Sequence, residues 1–168
     1  MPMDYGGQSG IEPSTMRGRD WPCLRQFGVF LENRVGVLND LMRHLESDDL
    51  RVMGLSIVDS IDSALIRLIV NDYDRGREKF ELASFSVFET DIIGVELPDD
   101  PQPFVRICTA LLQAEVSIHY SYPLLLRRRG RNAIAVYVDD IDAGLKALAE
   151  DNLDIVTEQQ LLDDDELL

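Results

Sequence analysis

The sequence predicts an α+β fold built twice over, and three observations predict it. The first is a repeat: Phe27-Gly28-Val29-Phe30-Leu31 leads through a short turn into an apolar helical stripe, and Ile93-Gly94-Val95-Glu96-Leu97 leads through a second turn into another. The offset between the turns is 99 − 33 = 66 residues; it pairs Leu41 with Ile107, Met42 with Cys108 and Leu45 with Leu111, and drifts to 138 − 70 = 68 at Val70 and Val138. A period this long marks a duplicated small domain rather than a solenoid. The second observation is the order of periodicities within each copy, strand, helix, strand, strand, helix, strand. The third is size. At 168 residues with 45% hydrophobic content, each copy is near the limit for a self-sufficient core, so the copies should lean on each other or on a second subunit.

Each element has its own warrant. Residues 26–31 alternate as a strand does, and residues 33–36 supply turn and cap chemistry before Leu38, Leu41, Met42 and Leu45 recur at helical spacing. Residues 50–58 form a second strand that should turn Leu50, Val52, Leu55 and Ile57 inward. Residues 60–63 then turn the chain into a β-rich run where Ile66, Leu68 and Val70 share a face. Asp72 is placed to cap a helix carrying Phe80 and Ala83, and residues 86–91 close the copy. In the second copy the first helix falls at 104–114, the central hairpin at 116–126 and 132–138, the second helix at 140–151 and the closing strand at 153–157. Residues 86–97 can run almost uninterrupted from one copy into the next.

That order is the split βαβ pattern of ferredoxin-like folds, so the expected architecture is two tandem ferredoxin-like (βαββαβ) domains with antiparallel sheets, lying side by side or joined. The expected organisation is a flexible N-terminal arm at 1–24, a first domain at 25–91, a second at 92–158 and an acidic C-terminal tail at 159–168, too short to pack alone.

Charge and composition exclude several classes of function. The net charge is −15 and both halves carry more acid than base, so neither offers the basic face that phosphate backbones attract. Nucleic acid is not an expected partner. No apolar run reaches the roughly 20 residues of a membrane span, and a cytoplasmic, membrane-free protein is expected. Cys23 sits in the arm and Cys108 on an apolar helix face, where a free cysteine is ordinarily core. Two histidines, His44 and His119, lack ligand-spaced companions, so no metal site is expected. No nucleophile–base pairing, serine elbow or phosphate loop is readable; an enzyme is not expected, nor a cofactor. Arg127-Arg128-Arg129 and Arg131 mark the tip of the second hairpin, read as a solvated turn or as a contact for an acidic surface.

The turn between first strand and first helix is the candidate site. Gly36 lets backbone approach closely, and the helix amides beyond it have no intrahelical acceptor, so they can hold a carboxylate or phosphate; Asn33 can cap the helix or reach a ligand's amino group. Turn-and-cap chemistry alone explains an Asn-x-x-Gly before a helix equally well.

Glu32-Asn33-Arg34-Val35-Gly36-Val37-Leu38, following a strand and opening a helix within this fold, resembles the ACT domain, whose signature runs acidic or Asn, any, Pro, Gly, any, Leu. Leu97-Pro98-Asp99-Asp100-Pro101-Gln102-Pro103-Phe104 is similar, and the resemblance covers residues 25–158. It implies regulatory binding rather than catalysis. ACT domains bind amino acids between paired domains, through the strand-to-helix turn of one copy and the second strand of its neighbour. Carried over, the turn positions are Asn33, Val35, Gly36, Val37 and Leu38 in copy one, and Asp99, Gln102 and Phe104 in copy two. Met53, Gly54 and Ser56 correspond by offset to His119, Tyr120 and Tyr122 on the second strand. Val35 departs from the family's proline and Gln102 from its glycine, which points to Gly36 as the competent turn. The implied protein is a stand-alone regulator of homodimeric form that binds a small amino acid or related metabolite at an interdomain or intersubunit interface. The alternative is a regulatory subunit of an amino-acid metabolic enzyme with no ligand of its own.

Overall fold

Alternation gives β1 (Leu24–Glu32) two faces, and each face meets a different core. In the computed structural model, which describes residues 19–47 and 49–163, Phe27, Val29 and Leu31 face a cluster with Leu41 and Leu45 of α1 (Val37–Leu45) and Phe80 of α2 (Tyr73–Glu81). Leu24 and Gln26 face the other way. β2 (Val52–Asp59) and β3 (Ser63–Val70) form the hairpin of the first copy, and β4 (Ser86–Glu96) closes it.

β4 belongs to both copies. Its first part pairs with β1 from Phe30↔Ser86 to Leu24↔Ile92, and its last part pairs with β6 (Arg131–Val138) from Ile93↔Val136 to Glu96↔Ala133. With β5 (Ile118–Arg128) beside β6, the strands run β2-β3-β1-β4-β6-β5, every neighbour antiparallel. The sheets of the two repeats thus join through one strand. The second copy is closed by residues 154–156, which exchange bonds with β4 from Glu96 N to Asp154 O (2.9 Å) and from Val156 N to Gly94 O (2.8 Å). Its helices α3 (Pro103–Gln113) and α4 (Ile141–Glu150) bury Ile107, Leu111, Leu145 and Leu148 against Ile93 and Val95.

Between the two helix-free faces lies a third core. Leu24, Met53, Ile69 and Ile92 of the first copy meet Tyr122, Leu124, Leu126, Ala133 and Val156 of the second. A Cβ on Gly54 of β2 would come within 2.9 Å of the Tyr122 ring of β5, so the two edge strands lie nearly in contact. Each repeat therefore covers apolar surface that the other would leave wet, at about 1.5–3 kcal/mol per fully buried large side chain.

Local chemistry sets the element ends. Asp72 and Asp140 cap α2 and α4 by accepting from Arg75 N (3.1 Å) and Ala143 N (3.0 Å). Four features differ from the sequence reading. A register shift between Val52 and Gly54 inserts Met53, turning Met53 and Gly54 to the intersheet core and leaving Leu55 and Ile57 on the rim of the edge strand, 38% and 49% exposed. Cys108, expected in the core, is exposed, because α3 buries Ile107, Ala110 and Leu111 and the next residue along turns about 100° away. Cys23, expected in the arm, is fully buried beside Trp21, and Arg19 binds Asp142 (2.6 Å) and Asp91 (3.0 Å), so the chain is anchored ahead of β1. The tail begins as a helix, α5 (Glu158–Leu162): Thr157 and Gln160 form a reciprocal capping box, and Leu161 enters the intersheet core. The rest of the expected arm, residues 1–18, and of the tail, residues 164–168, lies outside the described residues. Among the described residues no helix is long and apolar enough to cross a membrane.

Candidate functional site

The turn from β1 to α1 brings Asn33, Val35, Gly36, Val37 and Leu38 together. Gly36 adopts φ +90°, a left-handed conformation that a side chain resists, and no atom lies within 4 Å of where its Cβ would stand. It opens α1 without any side-chain cap, so the amides of Leu38 and Asn39 face outward at the positive end of the helix dipole. Val37 is buried and anchors the turn, whereas Val35 is fully exposed. Asn33 Nδ2 donates to the Ser60 carbonyl (2.9 Å), tying the turn to the β2–β3 hairpin tip and leaving Oδ1 free to accept.

The equivalent turn of the second copy is built differently. Asp100 Oδ1 accepts from Gln102 N (2.8 Å), Gln102 sits at φ −129° instead of the left-handed region, and Pro103 at the first helical position has no N–H. Asp99, Gln102 and Phe104 are exposed, and Gln102 sets a side chain where the first copy has Gly36, ahead of a helix that likewise opens without a side-chain cap.

The second-strand residues stand apart from both turns. Tyr120 and Tyr122 point into the intersheet core and share Gln26, whose Nε2 donates to Tyr120 Oη and whose Oε1 accepts from Tyr122 Oη, both at 2.7 Å. Arg67 of β3 lies 3.8 Å above the Tyr120 ring, and Tyr120 stacks on Tyr137 at 5.0 Å. His119 is exposed, its ring 5.7 Å from Tyr137. Gln26 was missing from the sequence reading, although a polar residue on an otherwise inward strand position is a legible sign of a buried partner.

Burial pushes both tyrosine pKa values above their ordinary 10.0, that of Tyr122 far above. A raised folded-state pKa means a contribution fully present below about pH 10 and lost as pH rises through the folded value. The stability advantage of the parent over Tyr122→Phe is therefore expected to shrink above pH 10, by up to about 1.4 kcal/mol per pH unit, in urea titrations at pH 8, 10 and 11. A difference that stays constant across that range would contradict the buried, bonded hydroxyl.

At the second hairpin tip, Arg131 and Arg128 close on Glu96 (3.0 and 3.7 Å), and Arg131 also meets Asp154 (2.9 Å). Burial raises the Glu96 carboxyl's pKa while Arg131 opposes it. Two of the arginines thus serve the chain's own sheet. Among the described residues no group of His, Cys, Asp or Glu is arranged to hold a metal ion.

The ACT domain pair family matches residues 23–164, and the chain belongs to it. In structure the chain is similar to protein BT0572 from Bacteroides thetaiotaomicron, with 23% identity over 84% of this chain and 96% of that one and a TM-score of 0.75. It is also similar to the ligand-free regulatory subunit of aspartate kinase from Thermus thermophilus, with 13% identity over 76% of this chain and 92% of that one and a TM-score of 0.53. No curated protein matches it in sequence. Membership of a family of regulatory domain pairs implies a regulatory, amino-acid-sensing role.

Proposed function

We propose that this ACT domain pair is a stand-alone regulator that binds a small amino acid or related metabolite through the turn at Gly36. The observation that carries the reading is a left-handed glycine opening an uncapped helix, with open space where a side chain would stand. A ligand carboxylate placed there accepts from the Leu38 and Asn39 amides and is favoured by the helix dipole, while Asn33 Oδ1 accepts from the ligand's ammonium group. The turn is bonded to the β2–β3 hairpin, so a ligand bridging it to a neighbouring surface favours whichever packing completes its contacts. That neighbour is a second subunit of a homodimer, since Tyr120 and Tyr122 are committed to Gln26.

A second reading, a regulatory subunit without a ligand of its own, is favoured by one observation, the turn at Gln102 with its missing Pro103 amide and its Asp100 bond. A thermal-shift screen against the common amino acids at millimolar concentration separates the two. One amino acid or a few related ones are expected to raise Tm by several degrees, since ligand at 100 times Kd stabilises by about 2.7 kcal/mol. No shift with any of them would favour the subunit reading.

A further inference from the structure

We infer that two copies of this chain pair face to face through the uncovered end of the first sheet, a patch made of Phe30, Val58, Leu65 and Phe88. The inference rests on the homodimeric form proposed above and names its surface. Strand register places these residues together: Val58 of β2 pairs with Leu65 of β3, Leu65 with Phe30 of β1, and Phe88 of β4 lies opposite Gly28, two residues along from Phe30. The Phe88 ring occupies the space a side chain on Gly28 would take and lies 5.4 Å from the ring of Phe30. All four belong to the helix-free face, because Gly28 and Phe30 continue the Leu24–Gln26 side of β1.

The intersheet core ends partway along that face. Leu24, Ile69 and Ile92 are covered by the second repeat, but Phe30, Val58 and Phe88 remain 51%, 47% and 39% exposed. The patch is continuous with an interface the chain already forms by the same sheet-on-sheet packing, and four adjacent strands contribute to it, which suits a second sheet face. Charge selects the occupant. A chain of net charge −15 repels its own copy over most of its surface, whereas the four patch residues are uncharged and the acid at their edge, Glu32, is paired with Arg34 (3.4 Å), so the patch is a place where two copies approach with little repulsion between like charges. A two-fold axis through it sets apolar residues against their own counterparts.

Sedimentation velocity on the full chain from 1 to 100 micromolar tests this. The parent is expected to dimerise, Phe30→Asp and Val58→Asp to weaken the dimer about 30-fold or more each, and Leu82→Asp, an exposed change at the end of α2, to leave it unaltered. Phe30→Thr keeps strand propensity and guards against a variant that fails to fold. Folded Phe30→Thr and Val58→Asp proteins that dimerise like the parent would overturn the surface while leaving the homodimer intact. A parent that stays at 19.0 kDa throughout would overturn both. A parent that dimerises only after removal of residues 1–18 would show that the chain's own N-terminal segment holds the patch, overturning the inference for the full chain.

Discussion

Gly94→Val is expected to destabilise the protein by about 3 kcal/mol, a large share of the roughly 5–15 kcal/mol that holds a folded domain together. Gly94 lies where β4 has just left β1 for β6, and it pairs with Ala135 while its carbonyl accepts from Val156 N. A Cβ there would meet Leu24 Cδ1 at 2.6 Å and Val156 Cβ at 2.9 Å. The end of the Leu24 side chain can swing aside. Val156 Cβ cannot, because it moves only with a backbone bonded to Gly94 itself. Two further methyls from valine must therefore part β4 from the closing segment or expel Leu24 from the intersheet core. Valine's preference for strands offsets only a fraction of this. Equilibrium urea denaturation checks it: a loss under about 0.5 kcal/mol would mean that this crossing is loosely packed.

Much of the fold was legible in the sequence because its determinants are local. The strand alternation of residues 26–31 and the cap at Asp72 each act within a few positions of the chain, and the structure places each where the pattern put it; the 66-residue repeat then carries the same local signals into the second copy. The stacking of the two sheets was not legible. It depends on how β5 lies across β2, and the extra residue at Met53 shifts which side chains face inward without leaving a mark in the hydrophobic pattern. Cys108 was misjudged because it borders the apolar stripe of α3 closely in sequence while pointing off it in space. Leu161 could have been found, since Thr157-x-x-Gln160 is a readable capping box that starts a helix where a tail was expected.

The candidate site divides the same way. The turn at Gly36 was readable because a glycine at a strand-to-helix junction has a local reason to exist, its left-handed backbone. The tyrosines on β5 were assigned to a ligand by their offset from the first copy. Their hydroxyls instead meet Gln26, a contact across 94 and 96 residues of sequence that no local pattern encodes. The asymmetry between the two turns links site to function: one copy opens its helix with a left-handed glycine that leaves the approach clear, the other with a glutamine whose side chain stands in the way, so one ligand per chain is expected.

Gly36→Gln is therefore expected to abolish amino-acid binding. The substitution copies what Gln102 is in the second repeat and strains a backbone at φ +90° by about 1 kcal/mol, while its Cβ has no atom within 4 Å, so the protein should still fold. A thermal melt confirms that before binding is read. The measurement that bears most directly on the account is titration calorimetry of the parent and of folded Gly36→Gln with the amino acid that shifts Tm most. The account predicts one site per chain in the parent and no measurable heat of binding in the variant, a loss of at least about 100-fold in affinity, or roughly 2.7 kcal/mol. Unchanged affinity and stoichiometry in a folded Gly36→Gln protein would contradict it.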